Sequence, residues 1–81
     1  MTNKEIVFKV MEKHPCVSGV QIHDYAYQLF GEIISPQAAS SILRPFAEKG
    51  LVAQSKDSTF NRNVYWLTEK GKEVILNEFS F

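Results

Sequence analysis

At 81 residues, with 44% hydrophobic and 22% charged side chains, the chain is sized for one domain of ordinary globular composition, not a disordered or low-complexity polymer. Nine basic and nine acidic side chains cancel, so overall charge singles out no polyanionic or polycationic partner. No apolar run approaches the roughly 20 residues of a membrane helix, the first residues lack a signal peptide's apolar centre, and the lone Cys16 permits no internal disulfide. A single domain over residues 1–81, cytoplasmic and without a membrane partner, is expected.

Thr2-Asn3-Lys4-Glu5 has the form of a capping box, Thr2 serving the early amides and Glu5 reaching back. The helix that follows sets Ile6, Val7, Val10, Met11 and His14 on one broad face and leaves Phe8 outside it. His14-Pro15 ends it, because the residue before a proline avoids helical geometry. Ser18-Gly19-Val20-Gln21 is a second capping box, opening a helix whose buried stripe is Ile22, Tyr25, Ala26 and Leu29. Gly31 is suited to a left-handed stop.

Ser35 caps a third helix, expected over about 35–49, and Pro36 fits its first position, where no amide proton is needed. On a helical wheel Ala39, Ile42, Leu43 and Phe46 gather on one side. Gln37, Ser41, Arg44 and Glu48 gather on the other, with Ser40 on their flank. Pro45 removes one hydrogen bond and crowds the Ser41 carbonyl, which predicts a bend in the last turn or an early end. Gly50 closes the helix. Leu51 to Ser55 is a predicted strand, Lys56 to Asn63 a loop of roughly eight residues, and Val64 to Leu67 a second strand. Thr68 opens the last helix. The expected class is mainly α (α+β): three helices, a two-stranded hairpin over about 51–67, and a C-terminal helix.

Two segments carry a resemblance. The run from Ser35 through the Glu48-Lys49-Gly50-Leu51-Val52 stop resembles the recognition-helix segment of winged helix-turn-helix DNA-binding domains such as the MarR-like and PadR-like regulators. Tyr65-Trp66-Leu67-Thr68-Glu69-Lys70-Gly71 is similar to the strand-to-helix exit of the same families, at the matching distance. The likeness covers about residues 18–75, by pattern and not by near-identity. It implies a winged helix-turn-helix fold, with helix three in the major groove and the hairpin as a wing on the DNA backbone. Two departures stand out. Pro45 occupies a position that is usually polar or basic in those families, and Arg44 is the sole arginine of a helix that often carries two or three basic residues there.

The residues of helix three suit that docking. Its N-terminus offers the partial positive charge of free amides, and Ser35 stands at its opening. Gln37 can bind adenine bidentately, Arg44 can reach guanine or a phosphate, and Ser40 and Ser41 can bond base edges or backbone oxygens. In the wing, Lys56, Asn61 and Arg62 are donors suited to phosphates, beside Ser58, Thr59 and Asn63. The competing reading of each is an ordinary solvated surface residue. Phe60 could wedge, stack, meet a partner or fold back. Tyr27 lies off the stripe of helix two, as a phosphate contact or a plain surface tyrosine.

Charge is unevenly spread. Residues 35–72 hold six basic against three acidic side chains, while residues 1–34 net minus one and the tail minus two. Leu76, Phe79 and Phe81, with Phe8, give the termini apolar surface that predicts a homodimer through terminal helices, as in related regulators; the alternative packs Phe8 on its own last helix.

No catalytic set emerges, so an enzyme is not expected. His14, Cys16, His23 and Asp24 are near in sequence but lack CxxC or HxxxH spacing, so neither a metal nor a cofactor is expected. His14 reads as a helix-end residue and His23 as solvent-facing. The functional expectation is a nucleoid-associated protein that binds double-stranded DNA as a small transcriptional regulator. Two alternatives use the same fold: a protein-interaction module, favoured by zero net charge, Glu48 and Phe60, or an accessory factor in replication or recombination of a mobile element.

Overall fold

Local side-chain bonds start each of the first three helices. The computed structural model describes residues 2–59 and 61–79, and within them every side chain except those of Leu76, Glu78 and Phe79. Helix α1 (Asn3–Lys13) opens on a complete capping box, in which Thr2 Oγ1 accepts the Glu5 amide at 3.2 Å. Accepting the Thr2 backbone N–H, and then its hydroxyl, holds the exposed Glu5 carboxyl below the usual carboxylate range. The second box closes as well: Ser18 Oγ accepts the Gln21 amide, and Gln21 Oε1 accepts the Ser18 amide at 2.9 Å. It starts α2 (Gly19–Phe30), which ends at Gly31 with φ 66°. Helix α3 (Pro36–Glu48) begins from Ser35, whose hydroxyl accepts the Ala38 amide at 3.1 Å.

The hairpin is longer and its tip shorter than the sequence predicts. Strands β2 (Val52–Asp57) and β3 (Arg62–Leu67) pair antiparallel to the register Asp57↔Arg62, so Lys56 and Arg62 belong to strands and not to a loop. Thr59 donates its amide to Asp57 Oδ1 at 3.0 Å, and Asn61 takes a positive φ of 52°, which together tighten the turn. A further strand escaped the sequence reading. Val17–Ser18 (β1) pairs with Tyr65 and Val64, giving a three-stranded sheet in the order β1-β3-β2.

Hydrophobic burial joins these pieces around α1. Ile6, Val7, Phe8, Val10 and Met11 are all buried, against Ile22 and Ala26 of α2 and Ala39 and Leu43 of α3. Phe8 thus corrects the sequence expectation. It is fully buried, edge-to-face with Phe46 of α3 at a centroid separation of 4.9 Å, and leaves no apolar surface on α1 for a second copy. The side chains of Leu76 and Phe79, and Phe81 itself, lie outside the described residues. Leu29 also departs from its assigned stripe: it is 40% exposed, while its neighbour Phe30 packs against the core instead. Pro45 neither ends α3 nor stops its ladder from resuming, since the Lys49 amide bonds the Pro45 carbonyl at 3.2 Å.

A small polar lock ties the start of the last helix to the junction between α3 and β2. Helix α4 (Glu69–Phe79) starts at Thr68, whose Oγ1 accepts the Gly71 amide at 3.0 Å. The same hydroxyl faces the Gly50 and Leu51 carbonyls at 2.8 and 3.1 Å, and the Thr68 amide donates to the Leu51 carbonyl. Gly71 lies so close to that carbonyl that a Cβ there would sit 1.8 Å from the Leu51 oxygen. The Gly-Leu-Val stop and the Leu-Thr-Glu-Lys-Gly exit are therefore two halves of one junction.

Candidate nucleic-acid interface

The inward side of α3 seals the core and the outward side stays bare. Ala39 and Leu43 are buried, and Ile42 and Phe46 pack against the core from its margin. Gln37, Ser41, Arg44 and Glu48 are exposed. Their i, i+4, i+7, i+11 spacing puts them on one face of the helix. Ser40 is half-buried because α2 crosses close by: a Cβ on Gly19 would meet the Pro36 carbonyl at 2.9 Å and Ser40 Oγ at 3.0 Å. That close crossing packs the start of α2 against the first turns of α3.

The connector before α3 is tied down. His23 Nδ1 lies 2.7 Å from the Ile34 carbonyl; a carbonyl only accepts, so that nitrogen carries the proton. His23 is half-buried and fixes the residue before the Ser35 cap, which corrects its solvent-facing assignment. His14 stacks on Tyr25 at 3.7 Å with an interplanar angle of 7°, pinning the end of α1 to α2.

A cleft runs along the exposed side of α3. Gln37, Ser40, Ser41 and Arg44 form one wall, the first residues of α2 stand at its head, and Arg62 and Asn63 of β3 form the other wall. Tyr65, only 5% exposed, lies at the floor. A second depression continues past Arg44 toward Glu48 and Gln54, sharing Arg44, Asn63 and Tyr65 with the first. Arg44 therefore stands on the ridge between them. Two arginines from distant parts of the chain thus border one trough, and Arg44, on its open side, is exposed to solvent.

The sequence candidates divide into three groups. Gln37, Ser40, Ser41, Arg44 and Arg62 are brought together on the cleft, with Ser35 at the base of the same helix. Arg62 lines the cleft together with α3 residues, half-buried with its Nε screened from solvent. Lys56, opposite Asn63 in the hairpin, and Asn61 at the turn are exposed on the hairpin and do not line the cleft, and Phe60 lies outside the described residues. Tyr27, 65% exposed, belongs to a separate notch with His23, Asp24 and Ile33. Asn63, named in the sequence only among the donors of the hairpin loop, joins the cleft from β3, and Val20 is a cleft residue that the sequence did not single out. Strand alternation in a longer β3 would have set Asn63 on the same face as Tyr65, and Val20 had no local signal.

Backbone comparison decides the architecture. The chain superposes on F93 from STIV, a winged-helix DNA-binding protein, with a TM-score of 0.77 at 20% identity, over 96% of this chain and 86% of that one. The fold is a winged helix-turn-helix. The complex structure of hsRosR-S4 gives a TM-score of 0.75 at 21% identity, covering 99% of this chain and 69% of that one. A MepR-like protein complexed with pseudoligands gives 0.63 at 18% identity, covering 99% of this chain and 61% of its own. No protein-family model and no curated protein matches the chain. In this winged helix α2 and α3 are the helix-turn-helix pair and β2–β3 the wing. Among the described residues no helix is long and apolar enough to cross a membrane, and no group of three or more His, Cys, Asp or Glu could hold a metal.

Proposed function

We propose that this winged helix binds double-stranded DNA and acts as a small transcriptional regulator, with α3 in the major groove and the wing on the adjacent backbone. One observation carries the reading: the outward face of α3 is bare, slender and polar, and it is continuous with Arg62 of the wing. A major groove about 12 Å wide accepts a helix only when its leading side chains are short or extended donors, as Gln37, Ser40, Ser41 and Arg44 are. The structural likeness to a DNA-binding winged helix supports the same conclusion. Lys56 and Asn61 complete the proposed backbone contacts from nearer the tip of the wing. Tyr27 stays a proposed phosphate contact only where the duplex extends past the start of α2.

Two copies paired through α4 would present two such surfaces to a two-fold site. Val74 of α4 and Trp66 of β3, 37% and 36% exposed, supply apolar area on that side. The expected location is the cytoplasm, at the nucleoid. A second reading, a protein-docking winged domain, is favoured by Ile33, which is 77% exposed beside Tyr27.

Salt separates the two. Affinity for a random duplex should fall steeply as salt rises from 50 to 200 mM, the logarithmic slope counting released counterions at about 0.9 per phosphate contact. With two to four cationic contacts per copy, we expect a slope of about −2 to −4 per copy. Absence of duplex binding at 50 mM salt would transfer the surface to a protein partner.

A further inference from the structure

We infer a base preference for this chain: an A·T pair and a G·C pair two to three base-pair steps apart, the adenine read by Gln37 and the guanine by Arg44. The inference rests on the DNA-binding reading above and adds to it the sequence class of the duplex.

Both side chains are exposed on the same face of α3, seven residues apart, with the short Ser41 between them. At 1.5 Å of rise per residue their Cα atoms are separated by roughly 10 Å along the helix. Base pairs stack about 3.4 Å apart, and the path along the groove is longer than along the duplex axis, so that span covers about two to three steps. Gln37 is in the first turn, where α3 meets the groove floor, and its amide matches the adenine N6/N7 edge. Arg44 carries a planar fork that matches guanine O6/N7. Ser41, between them, can donate or accept, so it does not discriminate strongly among bases.

Two further features confine reading to this stretch. Glu48, exposed on the same face one turn beyond Arg44, repels phosphate and lifts the C-terminal end of α3 away from the duplex. Arg62, on the opposite wall of the cleft from Gln37, holds the backbone without contacting a base. Reading is thus short: one adenine, one guanine and the pairs between them, per copy.

The experiment is selection from a random duplex library at moderate salt, read by sequencing, for the wild-type chain, Gln37→Ala and Arg44→Lys. Arg44→Lys retains the charge but loses the fork, so it distinguishes base reading from phosphate attraction. We expect the wild type to enrich adenine and guanine at the stated spacing, by roughly 5- to 100-fold over other bases at each position. Gln37→Ala should flatten only the adenine position, and Arg44→Lys only the guanine position. If the wild type binds duplex but enriches nothing, or all three proteins enrich the same motif, the inference fails while the DNA-binding reading survives. If no duplex is retained at all, both fall.

Discussion

Replacing Gly71 with alanine is expected to destabilise the fold by about 3 kcal/mol, seen as a fall in melting temperature of about 15 °C. The new Cβ would lie 1.8 Å from the Leu51 carbonyl oxygen and 2.8 Å from its carbonyl carbon, and both are backbone atoms that cannot swing aside. Either α4 retreats, stretching the Thr68 bonds to Gly50 and Leu51, or the start of β2 moves. Alanine's better helix propensity returns about 1 kcal/mol, which is too little to compensate. Gly50→Ala is the matched comparison. Gly50 has φ 77° and open space around a Cβ, so only the left-handed backbone costs anything, about 1 kcal/mol. A Gly71→Ala melt within 2 °C or so of the parent would mean that α4 does not sit on Leu51 as described.

Removing both cleft arginines should cost roughly tenfold or more in affinity for a random duplex at moderate salt. Arg44→Ala takes an exposed side chain from the ridge of α3, and Arg62→Gln keeps the half-buried stem in β3 while deleting its charge. The salt slope should become shallower by about one, for the phosphate partner that Arg62 loses, while the loss of Arg44 lowers affinity through its base contact. Circular dichroism and melting should stay near the parent's, because the substituted glutamine would retain the packing of the stem and Arg44 makes none in the core. Equal affinity and equal slope in the double variant would remove these two residues from the interface.

How much of this was legible in sequence follows from how local each signal is. The capping boxes at Thr2/Glu5 and Ser18/Gln21 span four residues each, and both form as written. Ser35-Pro36 and Gly31 likewise act within one turn, so the start of α3 and the end of α2 were readable. The two faces of α3 were readable because one 13-residue helix samples its wheel nearly four times over. By contrast, β1 has two residues whose partners, Tyr65 and Val64, lie more than forty positions away. No local pattern can announce such a pairing. The strand ends at Lys56-Asp57 and Arg62-Asn63 read as loop in the sequence because their polar runs lack the alternation that one buried face imposes.

Phe8 shows a different failure. A wheel assumes one buried face, whereas α1 is enclosed by α2 and α3 together, so a residue outside the arc still meets Phe46. The dimer expectation that leaned on Phe8 therefore loses that support and rests on α4 and the exposed Trp66 of β3. At the site, the sequence points to six of the residues that meet on the cleft but sets Arg62 and Asn63 in the loop at the tip of the wing. Their place on the cleft depends on the Asp57↔Arg62 register, which is a property of the folded hairpin. His23 was misjudged for a similar reason: its partner is the Ile34 carbonyl, eleven residues on and across a turn.

Chemical-shift mapping of the isotope-labelled chain against a random duplex tests the central claim most directly. A DNA-facing α3 predicts that amide shifts gather at residues 35–44, at the first turn of α2 and at Arg62 and Asn63, with the Tyr27–Ile33 notch unmoved on a short duplex. Shifts centred on that notch or on α4, with the amides of Gln37, Ser41 and Arg44 unchanged, would contradict it.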